Sequence, residues 1–269
     1  MANEREPAVA GDFYPLDPQE LGGMLDSLLS VSPSVQVDGE IIGAVVPHAG
    51  YAYSGKIAAI SYSYIKRSGK KRFVIAGPNH QGSPPSSSTY SSADWNTPLG
   101  TCRVDHALEN YFSPLVEEDS YANLFEHSVE VQLPFIQRLL GNDFTFFPII
   151  MGDQRRYRAE EIGKKMALAG TDSVFIASSD LTHYEPDSVA REKDRKLIEK
   201  IYNLDLEGFY LTLAAEKISA CGYGPIAALM HYTIAKKGRI IHTGYGTSGE
   251  SSGDYGSVVG YPSLIAVRD

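Results

Sequence analysis

The chain has 269 residues, 43% of them hydrophobic, which is enough to bury a substantial core. Its 24 Lys and Arg against 33 Asp and Glu give a formal net charge of -9, with no run of five or six like charges. That balance argues against a nucleic-acid backbone or an anionic membrane surface as the main partner, since both need a basic patch.

The N-terminal stretch MANEREPAVAGDFYPLDPQE is acidic and lacks an apolar core, so no signal peptide is expected. No apolar run approaches the roughly 20 residues that span a bilayer. Together with only two cysteines, Cys102 and Cys221, these features point to a reducing cytoplasm. Within the same stretch, REPAVAGDFYP reads as an anchored, extended arm.

Asp17, Pro18 and Glu20 then form an N-cap, a first-turn proline and a third-position acid, opening a helix that runs to Leu29. A strand over Ile41–Pro47 follows, then a helix capped by Ser54 and ending near Lys66, then a strand over Arg72–Pro78. The segment Gln81–Thr101 is rich in Ser, Pro and Gly, and reads as a long excursion too polar for the core. Cys102 falls on a predicted strand as a small buried residue. The motif FEHSVEVQLPF opens a helix whose inner face is Val131, Leu133, Ile136, Leu139 and Leu140. Strands over Phe144–Ile150, Ser173–Ser179, Arg239–Tyr245 and Gly256–Ala266 alternate with helices over Arg155–Leu168, Asp187–Ile201 and Gly222–Lys236. Several strands are apolar without alternation, as strands covered on both faces should be, so the pattern is one α/β domain over residues 1–269 with a central sheet. The glycine-rich GYGTSGESSGDYGSVVGYPS lacks the lysine and the following helix of a phosphate loop, and reads as a turn into a closing strand.

Three of the seven histidines sit just beyond apolar runs: His48 in GAVVPHAG, His80 in FVIAGPNHQG and His183 in VFIASSDLTHYEP. In an open α/β sheet, ligands bind outside the carboxyl ends of the strands, where side chains from different strands converge. One histidine in a loop is most often a hydrogen-bonded structural residue, but two that each follow a Pro-containing strand end and precede a glycine are candidate ligands. Asp180 stands three residues before His183, to orient the site or meet a metal, or else to cap its own turn. His127 is a candidate for the same cleft with Glu130 or Gln132 behind it, although an acid at a helix start also follows from the helix dipole. Cys221, ahead of a helix, is placed to have a lowered pKa and offer a soft thiolate ligand, or else is a small buried apolar residue.

The ordered motifs REPAVAGDFYP, VPHAGYAYSG, AGPNH, FEHSVEVQLPF, SSDLTHY and CGYGPI resemble the Memo family, also called the AmmeMemoRadiSam system protein B family, from about Arg5 to Val267. That family is related to LigB-type class III extradiol dioxygenases. The resemblance implies a three-layer α/β/α fold with a central mixed sheet. It also implies a non-haem metal site with His48 and His80 as ligands, Cys221 in place of the dioxygenase carboxylate, and His183 as acid or base. A thiolate in place of a carboxylate shifts the expected metal toward copper or zinc as well as iron, and away from ring cleavage. Iron or copper is the expected cofactor, zinc an alternative. A radical-SAM pathway partner is implied as well.

Three functional readings follow. The first is a metal-dependent redox or oxygen-dependent protein using His48, His80 and Cys221, with His183, Asp180 and His127 as candidate catalytic residues. The second is a module that binds a peptide, a partner protein or a small molecule through a rim of Tyr51, Tyr53 and Tyr184 around a disused site. The third is a zinc-dependent hydrolase with His183 moving the proton.

Overall fold

A computed structural model describes residues 4–82, 87–170 and 172–269. Four parallel strands form the middle of a sheet that is twelve-stranded among the described residues: Thr145–Met151, Arg72–Pro78, Ser173–Ser178 and Glu40–Val46, side by side in that order. Val258–Arg268 pairs antiparallel with Glu40–Val46, and Arg239–Thr247 pairs antiparallel with Val258–Arg268, making the sheet mixed.

Residues alternate between the two faces of each central strand, and both faces are apolar. Phe73 and Ile75, with Val174 and Ile176, join one core, which the helices Pro18–Leu29, Tyr51–Ile65 and Leu133–Leu140 cover. Val74 and Ala76, with Phe175 and Ala177, join the other, under the helices Arg156–Leu168, Asp187–Tyr202, Leu206–Ala215 and Tyr223–Ala235. The fold is a three-layer α/β/α sandwich, and continuous apolar strands are what such burial requires.

The placement of helices follows from the handedness of crossovers. The chain crosses from Glu40–Val46 to Arg72–Pro78 in one direction along the sheet, and from Thr145–Met151 to Ser173–Ser178 in the other. Right-handed connections in opposite directions lie on opposite faces, as Tyr51–Ile65 and Arg156–Leu168 do.

Two local expectations are corrected. The second helix starts at Tyr51, with Gly50 as its N-cap, so Ser54 lies inside the helix and its hydroxyl donates to Ala49 O at 2.8 Å. The backbone explains the earlier start: Tyr51 N donates to Phe13 O, and Gly50 O accepts from Ser54 N. The polar excursion also enters the core. Residues 83–86 of it lie outside the described residues, but the remainder contains strands Ser88–Thr89, Asp94–Thr97 and Gly100–Val104, with Trp95 fully buried. Its serines are satisfied locally, for example Ser91 N and Oγ by the Glu118 carboxylate, so burial does not strand them.

The N-terminal arm is held by a buried carboxylate. Glu130 accepts from Arg5 Nη1 at 2.7 Å, Ala8 N at 2.7 Å, Val9 N at 3.0 Å and Tyr14 OH at 2.7 Å. Arg5 also donates to Asn123 O and Glu126 O, and its guanidinium lies 4.1 Å from the centre of the Trp95 ring. Removing one partner of such a pair leaves an uncompensated buried charge, at a cost of about 3–5 kcal/mol. Glu130→Ala is therefore expected to lower the unfolding free energy measured in urea by that amount; a loss under about 1 kcal/mol, the value of an exposed pair, contradicts the buried latch.

Candidate metal centre at the strand ends

Val46, Pro78 and Ser178 end three neighbouring parallel strands, and the residues just beyond them bring His48, His80 and Asp180 to one edge of the sheet. His48 is 2% exposed. Its backbone N donates to Asp180 Oδ1 at 2.9 Å, so Asp180 ties two strand ends together instead of capping its own turn.

The tautomer of His48 follows from a count of protons. Ser178 Oγ gives its one hydrogen to Ser128 O at 2.6 Å, and accepts from Gln132 Nε2 at 2.9 Å. The remaining contact, His48 Nδ1 at 2.9 Å, must therefore be a donor. His48 thus carries its proton on Nδ1 and presents the Nε2 lone pair to Cys221 Sγ, 3.2 Å away. Gln132 supports His48 through Ser178 and Pro47 O, where sequence had offered it behind His127.

His80 is set in the same way. Its Nδ1 lies 2.9 Å from Glu126 Oε1, and its backbone N donates to Glu126 Oε2 at 2.6 Å. Burial pushes the Glu126 carboxyl upward, but the contacts with His80 and the charge interactions with His80 and His127 prevail and hold it at about 2. An ionised Glu126 fixes the proton on His80 Nδ1 and frees Nε2. His183 Nδ1 donates to Leu181 O at 2.7 Å with the same result. Three imidazoles from three segments therefore commit Nδ1 to an outer hydrogen bond and leave Nε2 clear of it, the arrangement in which metal-binding histidines are held.

His127 is placed by stacking. Its ring lies 4.5 Å from that of His80 at 19°, and 4.8 Å from Phe13 of the arm. It sits in a turn between the helix Ser120–Leu124 and the 3-10 turn Glu130–Gln132, and does not open a helix itself. Gly77 makes room for this turn: a Cβ there would come 2.2 Å from Ser128 Oγ, so the bare backbone lets the turn press against the strand end.

Cys221 is clamped from both sides. Gln154 Nε2 donates to Cys221 O at 2.8 Å, while Ser179 Oγ accepts from Gly222 N at 2.9 Å. Sγ itself accepts from Asp180 N at 3.2 Å. The expected lowering of its pKa does not occur: burial, and next the charge of Asp180, push the thiol above its ordinary value. The helix beginning at Tyr223 is too weak a counter-charge alone, and a bound cation is what would hold the thiolate. Burial likewise lowers His48 well below the ordinary imidazole value, keeping it neutral.

Donor atoms within 4.8 Å of one another form two groups, His48/His80/His127 and His48/Asp180/Cys221. Both contain His48, while His80 and Cys221 fall on either side of it. The donor chemistry, neutral imidazoles with oriented lone pairs and a thiol beside a carboxylate, fits a transition-metal ion. His183 stands outside both groups.

Of the expected aromatic rim, Tyr51 is corrected: it is buried, with its hydroxyl donating to Val131 O at 2.6 Å. Tyr53 and Tyr184 are exposed.

Sequence reading missed Asp194. This buried carboxylate accepts from Thr182 N at 3.1 Å, Thr182 Oγ1 at 2.6 Å and Tyr245 OH at 2.7 Å, and so fixes the strand that carries His183. It looks solvated within REKDRK, yet it shares a helix face with Ala190, Leu197 and Ile201, a spacing that marks it as inward.

The Memo-like protein family model matches residues 5–265. A MEMO1 family protein of Thermoplasma acidophilum is 47% identical over 98% of this chain and 99% of its own length. MEMO1 family proteins of Methanosarcina barkeri and Methanopyrus kandleri are 43% and 39% identical, covering 97% and 98% of this chain and 99% of each relative.

Burial raises Asp194 from 3.8 to about 6. The folded state therefore holds this proton more tightly than the unfolded chain, and the resulting stability is lost as pH rises from about 4 through about 6. Asp194→Asn is expected to gain on the wild type across that window by up to about 3 kcal/mol, measured by urea unfolding without added metal. Parallel pH profiles for the two proteins contradict the assignment.

Proposed function

This chain belongs to the Memo family, and we propose that its cleft is a transition-metal centre for redox or oxygen-dependent chemistry, with His48, His80 and Cys221 as principal ligands. The observation that carries the reading is the shared protonation of His48 and His80: a hydroxyl on one and a carboxylate on the other keep Nδ1 protonated and Nε2 open. Imidazoles with a sulfur donor suit iron, copper and zinc alike, and iron or copper is the choice that a redox role requires. A bound iron or copper ion would supply one-electron exchange and a Lewis-acidic position for oxygen or substrate.

The chain's own residues then have distinct tasks. Glu126 and Ser178 orient the imidazoles, and Gln154 and Ser179 hold the cysteine loop. His183, with Nδ1 committed to Leu181 O, has Nε2 free to take a proton from a substrate and return it. Asp180, raised to about 6 by burial, is poised to change protonation near neutral pH. Phe13 and His127 line the arm side.

A second reading, recognition of a small molecule or peptide at the cleft mouth, rests on Tyr184. Its ring is 78% exposed, and its backbone is held at φ 59°, a conformation that favours glycine. In this reading Tyr184→Ala weakens ligand capture and metal removal does not. A radical-SAM protein acting in the same modification pathway remains the proposed functional partner.

Oxygen uptake tests the leading reading. Iron- or copper-loaded wild-type protein with a chemical reductant is expected to consume oxygen above the free-ion rate, and His48→Ala to fall to that rate. Glu126→Gln is expected to weaken metal binding by about 10–100-fold. Uptake by wild type no faster than the free ion, or undiminished in His48→Ala, contradicts a redox role.

A further inference from the structure

The helix Leu206–Ala215, LEGFYLTLAA, is apolar on nearly every side, yet only Leu206 and Phe209 in it are buried. A helix of that composition is normally enclosed, and apolar surface left open marks a place where something binds. Its two open flanks differ. On the side of Leu211 the surroundings include Lys196, Glu199, Lys200 and Glu216, whose charged heads keep that surface wet. On the other side, Tyr210, Leu213 and Ala214 form one wall of a groove of about 530 Å³, closed by the 218–221 loop and Tyr223, and no charged residue lines it. A concave site of that size with few polar groups has the form of a small-molecule site.

The walls are held in place from outside the groove. Lys217 takes φ 51°, the left-handed turn that ends the helix, and Ile218 N donates to Leu213 O at 3.0 Å, which folds Ile218 back toward the helix. Tyr210 OH donates to Gln154 O at 3.1 Å, and the Tyr210 ring stands edge-on to that of Tyr223 at 6.2 Å between centres. The side chain of Gln154 holds the loop as well, through Cys221 O and Gly224 N. With the Tyr210 hydroxyl committed to the protein, the groove offers an occupant ring and aliphatic surface. At its inner end the groove meets the cleft, because Ser219 and Cys221 belong to both: Ser219 Oγ accepts from His183 N at 2.8 Å, and Cys221 Sγ lies 3.2 Å from His48 Nε2.

We propose that this groove binds an uncharged apolar body, and that the body belongs to the ligand whose polar end lies by His183 in the cleft. The ligand is therefore amphipathic, and Tyr210, Leu213, Ala214, Ile218 and Tyr223 select its apolar part. The link to the cleft rests on the reading of the cleft as a reaction site, whereas the groove as a binding site stands without it. A charged group placed there would lose water against a wall that holds no counter-charge, so the wall itself rejects it.

N-phenyl-1-naphthylamine, an uncharged apolar fluorophore, titrated into metal-free protein provides the test. The wild type is expected to give a saturable rise in fluorescence at one probe per chain. Ala214 is exposed on the helix, where glutamate is well tolerated, so Ala214→Glu keeps the fold and sets a carboxylate in the wall. It is expected to weaken the probe by about 10-fold or more, while Leu211→Glu, at a position 63% exposed on the other flank, leaves binding unchanged. In nitrogen-15-labelled protein the bound probe is expected to shift the amide signals of Leu213 and Ala214 and, across the shared wall, those of Ser219, Cys221 and His183. No saturable binding, binding untouched by Ala214→Glu, or equal weakening by Leu211→Glu overturns the site. Shifts at Leu213 and Ala214 with Ser219, Cys221 and His183 unmoved overturn its link to the cleft. Because this titration needs no metal, its failure leaves the metal-centre reading standing, and a cleft that takes up no metal leaves the groove standing.

Discussion

Four donors converge on the Glu130 carboxylate, and the mouth of the cleft depends on that convergence. Arg5 supplies the compensating charge, while Ala8 N, Val9 N and Tyr14 OH satisfy the remaining lone pairs. A buried ion pair repays its desolvation only with such additional hydrogen bonds. Because Arg5 also donates to the carbonyls of Asn123 and Glu126, one guanidinium binds the arm to the turn that carries Glu126 and His127. The arm in turn sets Phe13 against the His127 ring and gives its carbonyl to Tyr51 N at the start of a helix. Residues far apart in sequence thus share one electrostatic anchor.

The sheet contributes the other half of the site. Parallel strands deliver their carboxyl ends to one edge, and Pro47-His48, Asn79-His80 and Ser179-Asp180 all leave the sheet there. Two glycines permit the final approach. Gly77 admits the 126–130 turn, and Gly222, where a Cβ would come 2.4 Å from Ser178 O, admits the cysteine loop. The donors are then oriented from behind by Ser178, Glu126 and Leu181 O, which hold Nδ1 of each ring and leave Nε2 clear.

Much of this was legible in sequence, for physical reasons. Apolar runs without alternation signalled strands covered on both faces, and histidines placed just past them signalled a strand-end site. What sequence could not show was which partner each histidine would take. Glu126 sits beside His127 in the chain, yet its hydrogen bonds go to His80, because the turn folds back over the strand end. Ser178 read only as the end of a strand, and its role appears when its single proton is assigned. The lowered pKa expected of Cys221 failed because burial outweighs a helix terminus. Trp95 and its neighbours were concealed by composition: serine can be buried when a carboxylate such as Glu118 satisfies it.

The central claim is that His48 is the common ligand of a metal centre. Elemental analysis of protein purified without an affinity metal and reconstituted anaerobically with iron or copper, compared with His48→Ala, tests it most directly. The account predicts close to one ion per chain in the wild type and almost none in the variant, with both proteins equally folded by circular dichroism. A wild type that stays empty after reconstitution, or a variant that retains the full complement, would contradict it.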